Sequence, residues 1–138
     1  MDLDHWRERI KTAADDQALG LTAEIAADDK ALGQVRLPAV LVVPGRERVK
    51  TSHMIGPNRH RVEIEVLVLT GVRRGNAALG GEMVEKSEAI RTATKDQLID
   101  WLPPGAETEI EWAGGQILDL TADAYWWVDA YKTEYWRN

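Results

Sequence analysis

The 138-residue sequence contains no cysteine, which excludes disulfides, thiolate metal sites and thiol catalysis. Its longest run without a charged residue, Leu37–Gly45, has nine residues. A membrane-spanning helix needs about 20 apolar residues, so none is predicted. The segment Met1–Arg7 also lacks the apolar core of a secretion signal. We therefore expect a soluble protein with a single domain over residues 1–138.

Motifs that carry chemistry are also missing. The three histidines lack the spacing of a zinc site, and they are His5, His53 and His60. Glu107, Glu109 and Glu111 lie at period two, which is more typical of the solvated face of an outer strand than of an acid–base pair. The glycine-rich segment Gly71–Gly81 lacks the spacing of a nucleotide-binding loop. We predict no enzymatic activity, no metal and no cofactor.

The charge is unevenly distributed along the chain. The net charge is −6, but residues 37–81 sum to +4 and residues 82–138 sum to −7. An acidic total argues against general nucleic-acid binding, which depends on clustered cations. The basic middle segment is instead a candidate interface with another subunit or a partner protein. Its cations are Arg46, Arg48, Lys50, Arg59, Arg61, Arg73 and Arg74.

Two segments have the periodicity of amphipathic helices. In the first, Leu3, Trp6 and Ile10 recur at three- and four-residue spacing, with Asp2 as a candidate N-cap and Gly20 as a candidate terminator. The second runs from Met83 to Leu102 and stops at Pro103.

The remaining segments have the patterns of strands. A weak strand covers Leu21–Ile25, and a strand buried on both faces covers Pro38–Val43. Arg46–Thr51 and Arg59–Leu69 are predicted arms of a long hairpin, whose tip around 56–58 should project from the body. Later strands are predicted at 108–112, 116–120 and 124–136, with Gly114-Gly115 as a hairpin turn. The order predicts an α+β fold with a mostly antiparallel sheet, two helices on one face and a projecting β-hairpin.

The hairpin cations suggest association. Arg46, Arg48 and Lys50 lie at period two, as do Arg59 and Arg61, so we expect the two sets to share a face and to oppose each other. Glu47, Glu63 and Glu65 offset part of this repulsion locally, and an acidic partner surface, such as the −7 segment of a neighbouring subunit, would relieve the rest. Six of the nine aromatic residues lie in the last fourteen positions. Few cations lie among them, so core packing and an oligomer contact are favoured over a stacking platform for bases or sugars.

The order of these segments resembles that of the Mu-like phage tail terminators. The resemblance covers most of the chain and is carried by a few motifs, none of them catalytic. They are Leu37–Pro44, the hairpin into Val62–Leu69, the helix ending at Trp101-Leu102-Pro103, Trp112–Leu118 and Trp126–Trp136.

The resemblance implies a minor tail protein that caps the finished tail tube as a homo-oligomeric ring, usually of six subunits. Its implied partners are the tail tube protein and a head–tail connector protein, with no cofactor, no membrane and no sequence-specific nucleic acid. It also implies assembly in the cytoplasm of a bacterial host and a place in the virion tail. Two alternatives remain open: a small-molecule-binding or enzymatic α+β domain that uses the Gly71–Gly81 loop, and a stand-alone regulatory dimer.

Overall fold

The computed structural model describes residues 1–27, 29–54, 59–74, 81–120 and 124–137. These residues form two helices, one short 3-10 helix and five strands. In chain order the elements are α1 (Asp4–Asp16), β1 (Thr22–Ile25), the 3-10 helix (Asp29–Gly33), β2 (Ala39–Met54), β3 (His60–Arg73), α2 (Gly81–Leu98), β4 (Glu111–Leu120) and β5 (Ala124–Arg137).

The five strands form one sheet in the order β1-β2-β3-β5-β4. Only β1 and β2 are parallel, and every other neighbouring pair is antiparallel. The predicted α+β fold is confirmed. The strand β3 pairs with β5 from His60 to Arg73, so the second arm of the predicted hairpin is the central strand of the sheet. The hairpin tip, 55–58, lies outside the described residues.

Both helices cover the same face of the sheet, as predicted. Trp6 and Ile10 of α1 and Ile90 and Leu98 of α2 belong to one buried cluster with alternate strand residues. The strand residues in this cluster include Val40, Val42, Val62, Ile64, Val66, Val68 and Tyr131. Side chains alternate between the faces of a strand, so this set defines the helix-covered face. At the far end of α2, Arg9 Nε donates to the Gln97 carbonyl oxygen at 2.6 Å and ties the two helices together.

The opposite face has an apolar half and a charged half. In the apolar half, Leu41, Leu69 and Trp126 form a second buried cluster. The segment around the 3-10 helix packs on this cluster through Ala31, Leu32 and Val35. The pattern in β3 anticipated this division, because Val66–Leu69 is apolar on both faces whereas Arg61–Glu65 alternates.

Several predicted boundaries were wrong. The Gly114-Gly115 pair does not form a hairpin turn, because β4 is one continuous strand that pairs with β5 on either side of it. Gly114 has φ +115° and lies at a register shift, so these glycines form a β-bulge instead. Glu107 and Glu109 precede β4, and only Glu111 is part of that strand.

The other corrections concern element ends. The bend predicted at Pro44-Gly45 is a register shift within β2, which is one continuous strand. Helix α2 ends at Leu98, four residues before the predicted end. Helix α1 ends before Gly20, because Ala18 already takes the left-handed conformation at φ +54°. The Leu19 amide then bonds to the Ala14 carbonyl and the Ala18 amide to that of Asp15, which is a Schellman motif.

A buried ion pair joins α2 to the sheet. The Arg91 guanidinium donates to Asp129 through Nε at 2.8 Å and Nη2 at 2.9 Å, and only 6% of Arg91 and 2% of Asp129 is exposed. The hydrogen bond to Asp129 raises the pKa of Arg91, against the opposing effect of burial. Asp129 also accepts a bond from Trp112 Nε1 at 3.0 Å, so one carboxylate connects α2, β4 and β5.

We expect Asp129→Asn to lower the free energy of unfolding by about 3–5 kcal/mol, because it leaves the buried Arg91 charge without its counter-ion. Urea denaturation at pH 7 measures this. The matched control is Glu88→Gln, which removes the exposed partner of the same guanidinium and should cost less than about 1 kcal/mol. Equal losses in the two variants would contradict the prediction.

Gly71 has no room for a side chain. A Cβ atom at this position would lie 2.5 Å from the ring of Trp126, which is only 2% exposed. We expect Gly71→Ala to destabilise the protein by about 1–3 kcal/mol, as overpacked cores do. Gly33→Ala is the control, since a Cβ there meets nothing within 4 Å. A thermal melt unchanged by Gly71→Ala would show that the ring can move away at little cost.

Candidate functional site

The charged half of the helix-free face contains three of the seven predicted interface cations, Arg48, Lys50 and Arg61. It is built from the ends of β2, β3 and β5. In the register, Arg48 of β2 lies opposite Glu63 of β3, and Glu63 lies opposite Glu134 of β5. We call this surface the charged face and define it by Arg48, Lys50, Arg61, Glu63, Lys132 and Glu134.

The cations of the charged face are paired with carboxylates rather than opposed to each other. Lys50 Nζ lies 3.2 Å from Glu134 and 3.9 Å from Glu63. Arg61 Nε lies 3.0 Å from the Glu134 carboxylate. The expectation that cations of the two arms repel each other was therefore wrong. It overlooked Glu134, which β5 brings alongside β3.

Glu63 has cations on both sides. Arg48 Nη2 lies 3.4 Å from its carboxylate and Lys132 Nζ lies 3.8 Å away. Arg48 itself is 71% exposed on its side chain, whereas Lys50 is 30% exposed. Arg48 therefore remains available to a partner, while the ion pairs of Lys50 belong to the folded subunit.

The electrostatics of Glu134 follow from this arrangement. Burial raises the pKa of Glu134, but hydrogen bonds and charge from Lys50 and Arg61 outweigh it, so the pKa lies below its ordinary value. The carboxylate consequently stays ionised at neutral pH and holds both cations in place.

An aromatic ring extends the charged face at the end of β5. The Arg59 guanidinium lies 5.2 Å from the centre of the Trp136 ring, and that of Arg61 lies 5.6 Å away. These distances are within the range of cation–π contacts. The sequence pattern did not predict this contact, because Arg61 and Trp136 become neighbours only through the pairing of β3 with β5.

The seven predicted cations do not form one patch. Arg73 ends β3, twelve residues beyond Arg61, which corresponds to about 40 Å of strand. Arg73 and Arg74 are exposed at that opposite end of the sheet. Arg46 is exposed beside the charged face, in a shallow depression of about 220 Å³ shared with Glu47 and Glu65. Within the described residues, Arg46 makes no ion pair.

The other candidate sites have little support. Residues 75–80 of the Gly71–Gly81 loop lie outside the described residues. Among the residues that the structure describes, no group of three or more histidines and carboxylates is arranged to hold a metal ion. None of the described helices is long and apolar enough to cross a membrane. Glu107, Glu109 and Glu111 are exposed, as expected for solvated charges.

The C-terminal aromatics mostly support the sheet. Tyr125, Trp126, Tyr131 and Tyr135 are buried. Burial raises the pKa of Tyr131, whose ring belongs to the helix-covered core. The predicted core packing is confirmed for these four residues.

Comparison with known proteins connects this architecture to a family. The family model described as "Phage tail terminator protein" matches residues 1–138. The chain belongs to the phage tail terminator family. A search of curated proteins gives no match. The fold is similar to that of a chain in the structure of the virion of a native gene transfer agent (GTA) particle. The TM-score is 0.57 at 11% identity, with 94% of this chain and 90% of that chain covered.

The family match confirms the resemblance to phage tail terminators found in the sequence. The chain is therefore a structural protein of a phage tail. The likeness to the virion chain concerns the fold alone, because the two sequences are only 11% identical.

The ion pairs of Glu134 predict a pH dependence. A carboxyl group whose pKa is lowered on folding stabilises the protein above its ordinary pKa of 4.5, and this contribution is lost as the pH falls through the lower, folded value. We expect Glu134→Gln to lower the free energy of unfolding at pH 7 by about 1–3 kcal/mol. The deficit relative to the unmodified protein should shrink as the pH falls below 4.5.

Urea denaturation of both proteins between pH 3 and 7 measures this effect, with Glu65→Gln as the matched control. Glu65 lies on the same face and makes no ion pair in the described part of the chain. A deficit for Glu134→Gln that does not change with pH would contradict the assignment.

Proposed function

We propose that this phage tail terminator forms a ring of six subunits that caps the tail tube, ends tube growth and prepares the head–tail joint. The observation that carries the proposal is the family match over residues 1–138. The chain would act as a single domain in the cytoplasm of a bacterial host and remain in the virion tail. It would have no catalytic role and no cofactor.

The partners proposed are further copies of the chain, the tail tube protein and a head–tail connector protein. Exposed charge on the subunit supports such contacts, because complementary charge sets orientation and partner choice. Arg46 and Arg48 are the strongest candidates at the charged-face end, since both are exposed. Arg59, Arg73 and Arg74 are further exposed candidates. Lys50 and Arg61 hold Glu134 within the subunit, so they would act mainly by shaping the surface.

The proposed function is tested by deleting the gene in a phage that carries it and supplying the protein in trans. Without the protein, we expect tubes longer than the normal distribution and heads that remain unattached. Electron microscopy measures tube length and the fraction of joined particles. Normal tube lengths and joined heads in its absence would overturn the proposal.

The contribution of the exposed cations is tested in the same assay with Arg46→Glu. We expect this variant to fold normally, because Arg46 makes no ion pair in the part of the chain that the structure describes, but to restore fewer joined particles. Lys86→Glu is the matched control, an exposed cation on α2 far from the charged face. Full complementation by Arg46→Glu at low and moderate salt would contradict a role for this residue.

A further inference from the structure

The sheet has two open edges within the described part of the chain. It ends with β1 on one side and β4 on the other. The outer side of an edge strand presents backbone N–H and C=O groups that another strand can pair with. Natural proteins block such edges with charged side chains, bulges or short strands.

The edge at β4 is open over a short, uncharged stretch. Register shifts between Trp112 and Gly114 and between Ile117 and Asp119 leave one regular run, Gly114–Ile117. Its four residues are Gly, Gly, Gln and Ile, so no charged side chain protects it. At its end, Ile117 is 47% exposed and Leu118 is 42% exposed.

The edge at β1 matches this stretch in length but carries one charged residue, Glu24. The strand has four residues, Thr22–Ile25, and Ile25 is 41% exposed. An open groove of about 320 Å³ runs beside it. Ile25, Ala31 and Val35 contribute accessible apolar surface to this groove, which is available to cover apolar side chains of a docked strand.

We propose that the Gly114–Ile117 run of one copy pairs antiparallel with Thr22–Ile25 of the next copy, in a register that places Gln116 opposite Thr22 or Glu24, so that the sheet continues from subunit to subunit. This inference rests on the proposed ring. The strand directions support it: β4 runs opposite to β5, and β5 and β1 both run opposite to β3. Rotation about an axis parallel to the strands preserves these directions, so β4 meets the next β1 antiparallel.

The contact joins two different surfaces. Such heterologous contacts close into rings when the rotation allows it, whereas β4 pairing with a second β4 would stop at a dimer. Open grooves lie beside both edges, about 320 Å³ at β1 and about 410 Å³ at β4. The first arrangement is the one that the proposed ring requires, because a ring of more than two subunits cannot close through a contact between two identical edges.

Disulfide cross-linking tests the pairing directly, because the natural chain has no cysteine. Gln116 lies opposite Val128, and Thr22 and Glu24 line the groove with Leu41, so all three lie on the helix-free face. Directly opposed residues in antiparallel strands are about 4.5–5.5 Å apart between Cα atoms, within reach of a disulfide. The variants are therefore Gln116→Cys combined with Thr22→Cys or with Glu24→Cys.

Under mild oxidation in the presence of tail tubes, we expect one of the two combinations to give a ladder of cross-linked oligomers on a non-reducing gel. Gln116→Cys alone and Glu24→Cys with Lys86→Cys should give no ladder. A strong dimer from Gln116→Cys alone would show β4–β4 pairing and overturn the inference.

A second variant tests the edge without cross-linking. Ile117→Lys places a charge at the end of the open run, and we expect an apparent dissociation constant for assembly raised by about tenfold or more. Val84→Lys is the control, an apolar residue that is 44% exposed on α2. Circular dichroism and the thermal melt verify that both variants fold.

Native mass spectrometry, with and without tail tubes, separates the two proposals. If oligomers form but neither combination cross-links and Ile117→Lys assembles normally, the edge pairing is overturned and the ring stands. If no oligomer forms under either condition, both are overturned.

Discussion

The bidentate pair between Arg91 and Asp129 is the constraint on which the helix-covered side depends. Both charges are buried, so each can remain there only with the other in place. Asp129 lies in β5 between β3 and β4, and the bond from Trp112 fixes the edge strand to the same carboxylate. The Arg91 guanidinium also lies 4.2 Å from the centre of the Trp127 ring, which limits its rotation. Helix α2 therefore has one position over the sheet.

The sequence predicted what local periodicity determines. The apolar stripes of α1 and α2 and the alternation in β3 identified the elements and the face that the helices cover. The sequence-based prediction was wrong where one local pattern is compatible with two different structures. Gly114-Gly115 suits a tight turn and a bulge equally well, and only the continuous pairing of β4 with β5 decides between them.

The contacts of the charged face could not be predicted from the sequence, for a different reason. Glu134 lies 84 residues from Lys50 and 73 from Arg61, and these groups meet only because β5 inserts next to β3. Strand order cannot be read from a single sequence. The hairpin segment therefore appeared to carry unbalanced positive charge, whereas in the sheet its cations alternate with carboxylates of β3 and β5. The exposed groups that remain, such as Arg46 and Arg48, are fewer than the count of cations suggested.

The insertion of β5 between β3 and β4 also constrains how the chain folds. Strand β4 precedes β5 in the chain, but within the sheet it pairs only with β5 and not with the earlier strands. During synthesis, β4 has no place to bind until β5 has left the ribosome, and the uncharged Gly114–Ile117 run emerges before its partner. The β4–β5 pairing is local, but β4 joins the sheet only through the pairing of β5 with the distant β3. Such long-range pairings form slowly, and unpaired strands are prone to aggregate in the interval. The order of strands therefore makes a nascent chain that stalls before residue 124 more vulnerable than the finished protein.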